Sequence, residues 1–145
     1  MDYSNALTVF DVGLHFMQGL GFKGPQVCME TSKLAGDSLL LTYDSETAGR
    51  QVEVSYLRAQ RGRPAAIVVF IVANSGKRFS VEDWLAVNGK ANAIEFSTLN
   101  NPGLSESLFI ERFCHDFMEI CDQKLRDILT GTVWQDVPID WKGYR

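Results

Sequence analysis

Apolar and polar positions alternate along this chain with two distinct periods, and the changes of period mark its elements. Leu7, Phe10, Leu14 and Met17 recur at helical spacing behind Ser4, a residue able to cap a first helix. Gly19-Leu20-Gly21 stops that helix, and Gly24-Pro25 opens an extended region. Gln26 to Lys33 reads as a weakly alternating strand, closed by a turn at Ala35-Gly36-Asp37. Leu39, Leu41 and Tyr43 alternate with Ser38, Leu40 and Thr42, which predicts a strand with one fully buried face. After a polar loop from Asp44 to Gly49, Val52, Val54 and Tyr56 alternate with Gln51, Glu53 and Ser55, the clearest half-exposed strand. Arg61-Gly62-Arg63-Pro64 reads as a hairpin connection. Ala65 to Val72 is apolar at every position, which predicts a central strand covered on both sides. Four successive strands on short turns make an antiparallel meander.

Asn74-Ser75-Gly76 ends this run. Ser80-Val81-Glu82-Asp83 resembles a capping box with Asp at its fourth position, so a short helix should start there, carry Trp84 and Leu85, and close at Asn88-Gly89. Ile94 and Phe96 suggest a further short strand, and Asn100-Asn101-Pro102-Gly103 a loop. The last helix has Ser105 as its cap and Gly131 just past its end. Ile110, Phe113, Cys114, Phe117, Ile120, Cys121 and Ile128 share one side of it. Glu106 near its start and Lys124 and Arg126 near its end suit the helix dipole. The tail that follows, with Trp134, Val137, Ile139, Trp141 and Tyr144, is too apolar to be left in solvent and should pack back on the domain. The pattern predicts one α+β domain over residues 1–145: an antiparallel four- to five-stranded meander sheet with an N-terminal helix, a short middle helix and a long C-terminal helix packed mainly on one face.

Composition narrows the setting. At 145 residues and 46% hydrophobic content, the chain can bury about 70% of its unfolded surface and needs no disulfide or metal. Fourteen basic and 18 acidic side chains give a net charge of −4, which argues against nucleic-acid binding through the overall field. The charge is unevenly spread: −4 over residues 1–49, +4 over 50–90 and −4 over 91–145. No apolar run approaches a membrane span, and the opening residues lack the basic start of a signal peptide. Three cysteines at unrelated spacings, none in a CxxC pair, read as reduced thiols of a cytoplasmic protein.

Few residues invite chemistry. Gly19-Leu20-Gly21-Phe22-Lys23-Gly24 spells G-x-G-x-x-G, but a helix precedes it and a strand follows, the reverse of the dinucleotide context. Cys114 and His115 are adjacent in sequence and so point about 100° apart on a helix, which prevents a dyad. Glu82-Asp83 is explained by capping, and Asp136 and Asp140 flank Pro138 without a reason to share a cleft. The basic middle, with Arg58, Arg61, Arg63, Lys77 and Arg78, lacks interleaved aromatics and reads as strand-end protection rather than an RNA surface. No catalytic, metal or cofactor centre is expected. One patch stands out. Glu111, His115, Glu119 and Asp122 fall within an arc of about 80° on the last helix, opposite its apolar stripe, with Asp116 beside them and Arg126 continuing the row. Three readings apply: a solvated face, a metal site through Glu111, His115 and Glu119 that lacks ligands from another element, or an acidic strip that docks a basic partner.

The opening helix ending in Leu20-Gly21-Phe22, the central meander, the Phe79-Ser80-Val81-Glu82-Asp83-Trp84-Leu85 segment and the closing helix with its Trp-rich tail together resemble the small immunity proteins encoded beside bacterial contact-dependent inhibition and polymorphic toxins. The resemblance covers most of the chain and is architectural. It implies a cytoplasmic, non-enzymatic protein that binds one cognate toxin domain, often a nuclease, and blocks it. On this view Glu111, His115, Asp116, Glu119 and Asp122 are the partner-binding candidates. Two alternatives stay open: a secretion-chaperone-like peptide binder, whose family usually places three strands before its second helix where four are counted here, and an enzyme without a recognisable motif.

Overall fold

A computed structural model describes residues 3–32, 36–58, 65–88 and 105–137. The elements in order are α1 (Ser4–Gly13), α2 (Phe16–Gly19), β1 (Lys23–Ser32), β2 (Gly36–Ser45), β3 (Arg50–Leu57), β4 (Ala66–Ala73), β5 (Arg78–Ser80), α3 (Val81–Val87) and α4 (Glu106–Ile120). A π-helical turn (Cys121–Leu125) and α5 (Arg126–Leu129) continue α4, and the three segments form one closing helix.

The strands form one antiparallel sheet in plain sequence order, β1 to β5. Its register follows from the alternation in the sequence. Leu39 pairs with Tyr56, Leu41 with Val54 and Tyr43 with Val52, then Tyr56 with Ile67, Val54 with Val69 and Val52 with Ile71. Paired residues in a sheet share a face, so these side chains line up as the buried floor against which the helices pack. The fifth strand is Arg78–Ser80, between the break at Asn74-Ser75-Gly76 and the cap at Ser80, where the sequence pattern assigns no element. The strand expected at Ile94 and Phe96 lies outside the described residues.

β4 differs from expectation in one respect. Ile67, Val69 and Ile71 are buried, but Val68, Phe70 and Val72 on the opposite face are only half-buried, so full cover exists on one side among the described residues. Part of the cover on the second side is a polar side chain. The Arg78 guanidinium lies 4.4 Å from the centroid of the Phe70 ring and is held there by Glu53 at 2.9 Å.

The first helix is also modified. It breaks after Gly13 and resumes at Phe16, while Leu14 and Met17 stay buried as the periodicity requires. Tyr3, not Ser4, is the N-cap, and no side chain caps the helix. A tertiary anchor sets its entry instead: the Tyr3 ring is buried edge-on against Tyr56, and its hydroxyl donates to the Asp37 carbonyl at 3.1 Å. The other two caps match the sequence. Ser80 Oγ accepts from the Asp83 N–H at 3.0 Å and Ser105 Oγ from the Leu108 N–H at 3.2 Å.

The π turn keeps the closing helix in phase with the core. Phe117, Cys121, Leu125 and Leu129 are all buried, a spacing of four that a regular 3.6-residue helix would rotate away from the sheet. A wider turn absorbs the excess. Leu125 and Leu129 thereby join the buried stripe, Phe109 extends it at the start of α4, and Ile120 lies at its margin.

Candidate functional site

The closing helix is held at both ends and in the middle, and this fixes what its outer face presents. At its start, Glu106 accepts from the Tyr56 hydroxyl at 2.6 Å and from Arg58 at 2.8 and 3.3 Å. The Arg58 guanidinium also lies 4.3 Å from the Tyr3 ring centroid. Burial pushes the Glu106 carboxyl up, but the Arg58 and Tyr56 hydrogen bonds outweigh it and leave its pKa lowered. The Tyr56 phenol is pushed up by burial and by its bond to Glu106. In the middle, Gly13 of α1 crosses so close to Cys114 that a Cβ there would lie 2.5 Å from the Cys114 Cβ and Sγ. At the end, Gly131 takes φ +85° and runs against the Ala48 carbonyl in the β2–β3 turn. Arg50 donates to Ile128 O, a carbonyl of the helix's last turn, at 2.8 Å and to Val133 O in the tail beyond it at 3.0 Å. The same guanidinium lies 5.0 Å from the centroid of Trp134, whose ring packs on Phe79. Trp84 Nε1 donates to Gln135 at 2.9 Å. The tail therefore packs back on the domain as far as Val137. Ile139, Trp141 and Tyr144 lie outside the described residues.

With the inner face committed, Glu111, His115, Asp116, Glu119 and Asp122 are all exposed on the outer one. The structure pairs His115 Nε2 with Glu119 Oε1 at 3.3 Å, and Arg126 with Asp122, each one turn apart. His115, Asp116 and Glu119 bring one ligand atom each within 4.8 Å of the others. This trio replaces the Glu111-His115-Glu119 set, because the His115 ring is turned toward Glu119 and Asp116 sits beside it. All three come from one exposed helix, and no buried ligand from a second element completes a coordination shell among the described residues.

A groove of about 340 Å³ runs beside this strip, between α2 and the π turn. Phe16, Leu20, Met118 and Cys121 line it, and Glu119, Asp122 and Arg126 stand at its rim. It forms where α1 gives way to α2 and the closing helix widens, and both events depend on tertiary packing. The exposed Met118 was the available signal, an apolar residue on a polar arc.

The remaining candidates take structural places. Burial pushes the Cys114 thiol up to about 12, aided by Glu111, and burial pushes the Cys121 thiol well above its usual range, aided by Asp122, so neither supplies a thiolate near neutrality. His15 is exposed. Arg58, Lys77 and Arg78 are each in an ion pair, with Glu106, Asp136 and Glu53, and so do not gather into a basic surface. Arg61, Arg63 and Asp140 lie outside the described residues. Gly19 ends α2 and Lys23 begins β1, so the glycine-rich stretch joins a helix to a strand. No helix of the described residues is long and apolar enough to cross a membrane. Comparison with known proteins found no matching family model, no matching curated protein and no matching solved structure.

Proposed function

We propose that this chain is an immunity protein of the cell interior that binds and neutralises a cognate bacterial toxin domain, engaging a basic toxin such as a nuclease through the outer face of the closing helix. The observation that carries the reading is the contrast in commitment between charged groups. Glu106, Glu53 and Asp136 each pair with a cation of another element. On the outer face the ion pairs run within the helix, His115 with Glu119 and Asp122 with Arg126, and every carboxylate stays exposed. Such pairs contribute little to stability and exchange readily for a partner's lysine or arginine. Clustered carboxylates on a rigid rod steer a basic protein to this face and occupy the cations that a nuclease uses on phosphate. The groove beside the strip offers a site for an apolar anchor at the centre of such a contact.

The test is calorimetric titration with the C-terminal domain encoded by the adjacent reading frame, paired with growth rescue of cells that express that domain. Nanomolar binding with rescue is the expected result. Neutralising Glu111, Glu119 and Asp122 together should weaken binding at least tenfold, mostly through the association rate. Unchanged affinity would remove the strip from the interface, and no binding to any adjacent product would end the immunity reading.

A further inference from the structure

The two edges of the sheet are unlike. β5 is three residues long and passes directly into α3, whereas β1 runs for ten residues at the opposite edge of the sheet. An open edge offers a row of backbone N–H and C=O groups, and proteins ordinarily guard it with shortness, proline, bulges or charge. β1 has such guards at its start, where Lys23, Gly24 and Pro25 precede a register irregularity at Gln26. From Gln26 to Glu30 every residue is exposed. Val27 pairs with Leu41 and Met29 with Leu39, so both point to the face that bears the core, yet they remain 48% and 58% exposed. A groove of about 280 Å³, lined by Leu7, Pro25, Val27 and Leu41 among others, lies between α1 and this strand, where no other described element covers it.

We propose that β1 is a self-association edge, at which two copies of this chain pair their β1 strands antiparallel about a two-fold axis at Cys28. The register selects the occupant. A two-fold axis normal to the sheet keeps each side chain on its own face, so it passes through a residue and pairs like faces. Centred on Cys28, it sets Val27 opposite Met29 of the second copy and Gln26 opposite Glu30 of the second copy. Apolar meets apolar on the helix side, amide meets carboxylate on the other, and no like charges oppose. Centred on Val27, the ladder would place Pro25, which has no N–H, opposite Met29 inside the exposed run, whereas the Cys28 register moves Pro25 beyond that run, opposite Thr31. Centred on Met29, it would set Cys28 against Glu30 and Val27 against Thr31. Only the Cys28 register matches both faces, and it also lays the Met29 side chain of the second copy beside Val27 at the open groove. A single strand pair is smaller than the ~1,000 Å² of a stable interface, so the dimer is weak and reversible and grows in with concentration. It leaves the outer face of the closing helix free, and stands whether or not the immunity reading does.

The experiment is sedimentation velocity of the full chain over a wide concentration series, with and without the paired substitutions Val27→Lys and Met29→Lys. Both side chains are exposed, so the variant should keep the wild-type circular dichroism spectrum. Wild type is expected to show a concentration-dependent monomer–dimer equilibrium, and the variant to stay monomeric throughout. A second measurement uses the axis itself. Facing Cα atoms in an antiparallel pair lie about 4.5–5.5 Å apart, within the range of about 4.4–6.8 Å that a disulfide spans. Diamide, which accepts the two electrons released by two thiols, should therefore give a covalent dimer that Cys28→Ser abolishes, since Cys114 and Cys121 are buried. A chain that is monomeric at every concentration overturns the proposal. So does a dimer indifferent to the lysine substitutions, or a covalent dimer that persists without Cys28.

Discussion

The two faces of the closing helix carry different kinds of information. Its inner face meets α1 and the sheet with Phe113, Cys114, Phe117, Cys121 and Leu125, all almost wholly excluded from solvent. Its outer face carries Glu111, His115, Glu119 and Asp122 in water, tied only by pairs one turn apart. Substitution should separate them: changes to the inner face unfold the protein, and changes to the outer face leave the fold and alter what it meets.

The largest effect belongs to Phe117, which is fully buried and contacts the rings of both Phe16 and Phe113. Phe117→Ala should cost about 3–5 kcal/mol, measured by urea unfolding. Next comes the helix crossing. Gly13→Ala drives a methyl into Cys114 and should cost about 1–3 kcal/mol, and adding Cys114→Ala should recover part of that loss in a double-mutant cycle. A gain no greater than additive would mean that the crossing yields elsewhere.

Glu106 marks the boundary between the faces, and its effect depends on pH. Its folded pKa is lowered, so its contribution is present above the unfolded value of 4.5 and is lost as pH falls through the folded value. Glu106→Gln should therefore cost on the order of 1–2 kcal/mol at pH 7, discounted for partial exposure, and progressively less in acid. Melting curves of both proteins across that range check it, and a constant gap would show that the Arg58 and Tyr56 contacts do not depend on the carboxylate charge. The smallest change in stability is expected for Glu111→Gln, Glu119→Gln and Asp122→Asn together, within about 0.5 kcal/mol, despite their large expected effect on a basic partner.

This split also explains what the sequence made legible. The meander and the closing helix could be read because their inner positions repeat at fixed intervals, as in Val52-Val54-Tyr56 or Ile110-Phe113-Cys114-Phe117. The Ser80 and Ser105 caps could be read because capping is a local hydrogen bond. Features set by distant contacts could not. Tyr3 displaces Ser4 as the N-cap through Tyr56 and Asp37, and Arg50 reaches carbonyls 78 and 83 residues away. The short strand Arg78–Ser80 exists only because Phe70, Ile71 and Val72 offer it a ladder. Of the candidate site, the exposed polar row was legible from helical spacing, while the groove beside it depends on a π turn that no single residue announces.

The unequal lengths of β1 and β5 bear on how this protein behaves when crowded. Open-ended polymerisation of sheets requires two competent ends, one to receive a strand and one to offer the next. Here β5 offers three residues before the chain turns into a helix, and among the described residues only β1 presents a full-length margin. Any strand that joins β1, from whatever source, consumes that margin. Addition is therefore a terminating step: the architecture admits a closed pair and withholds the means of making a fibre.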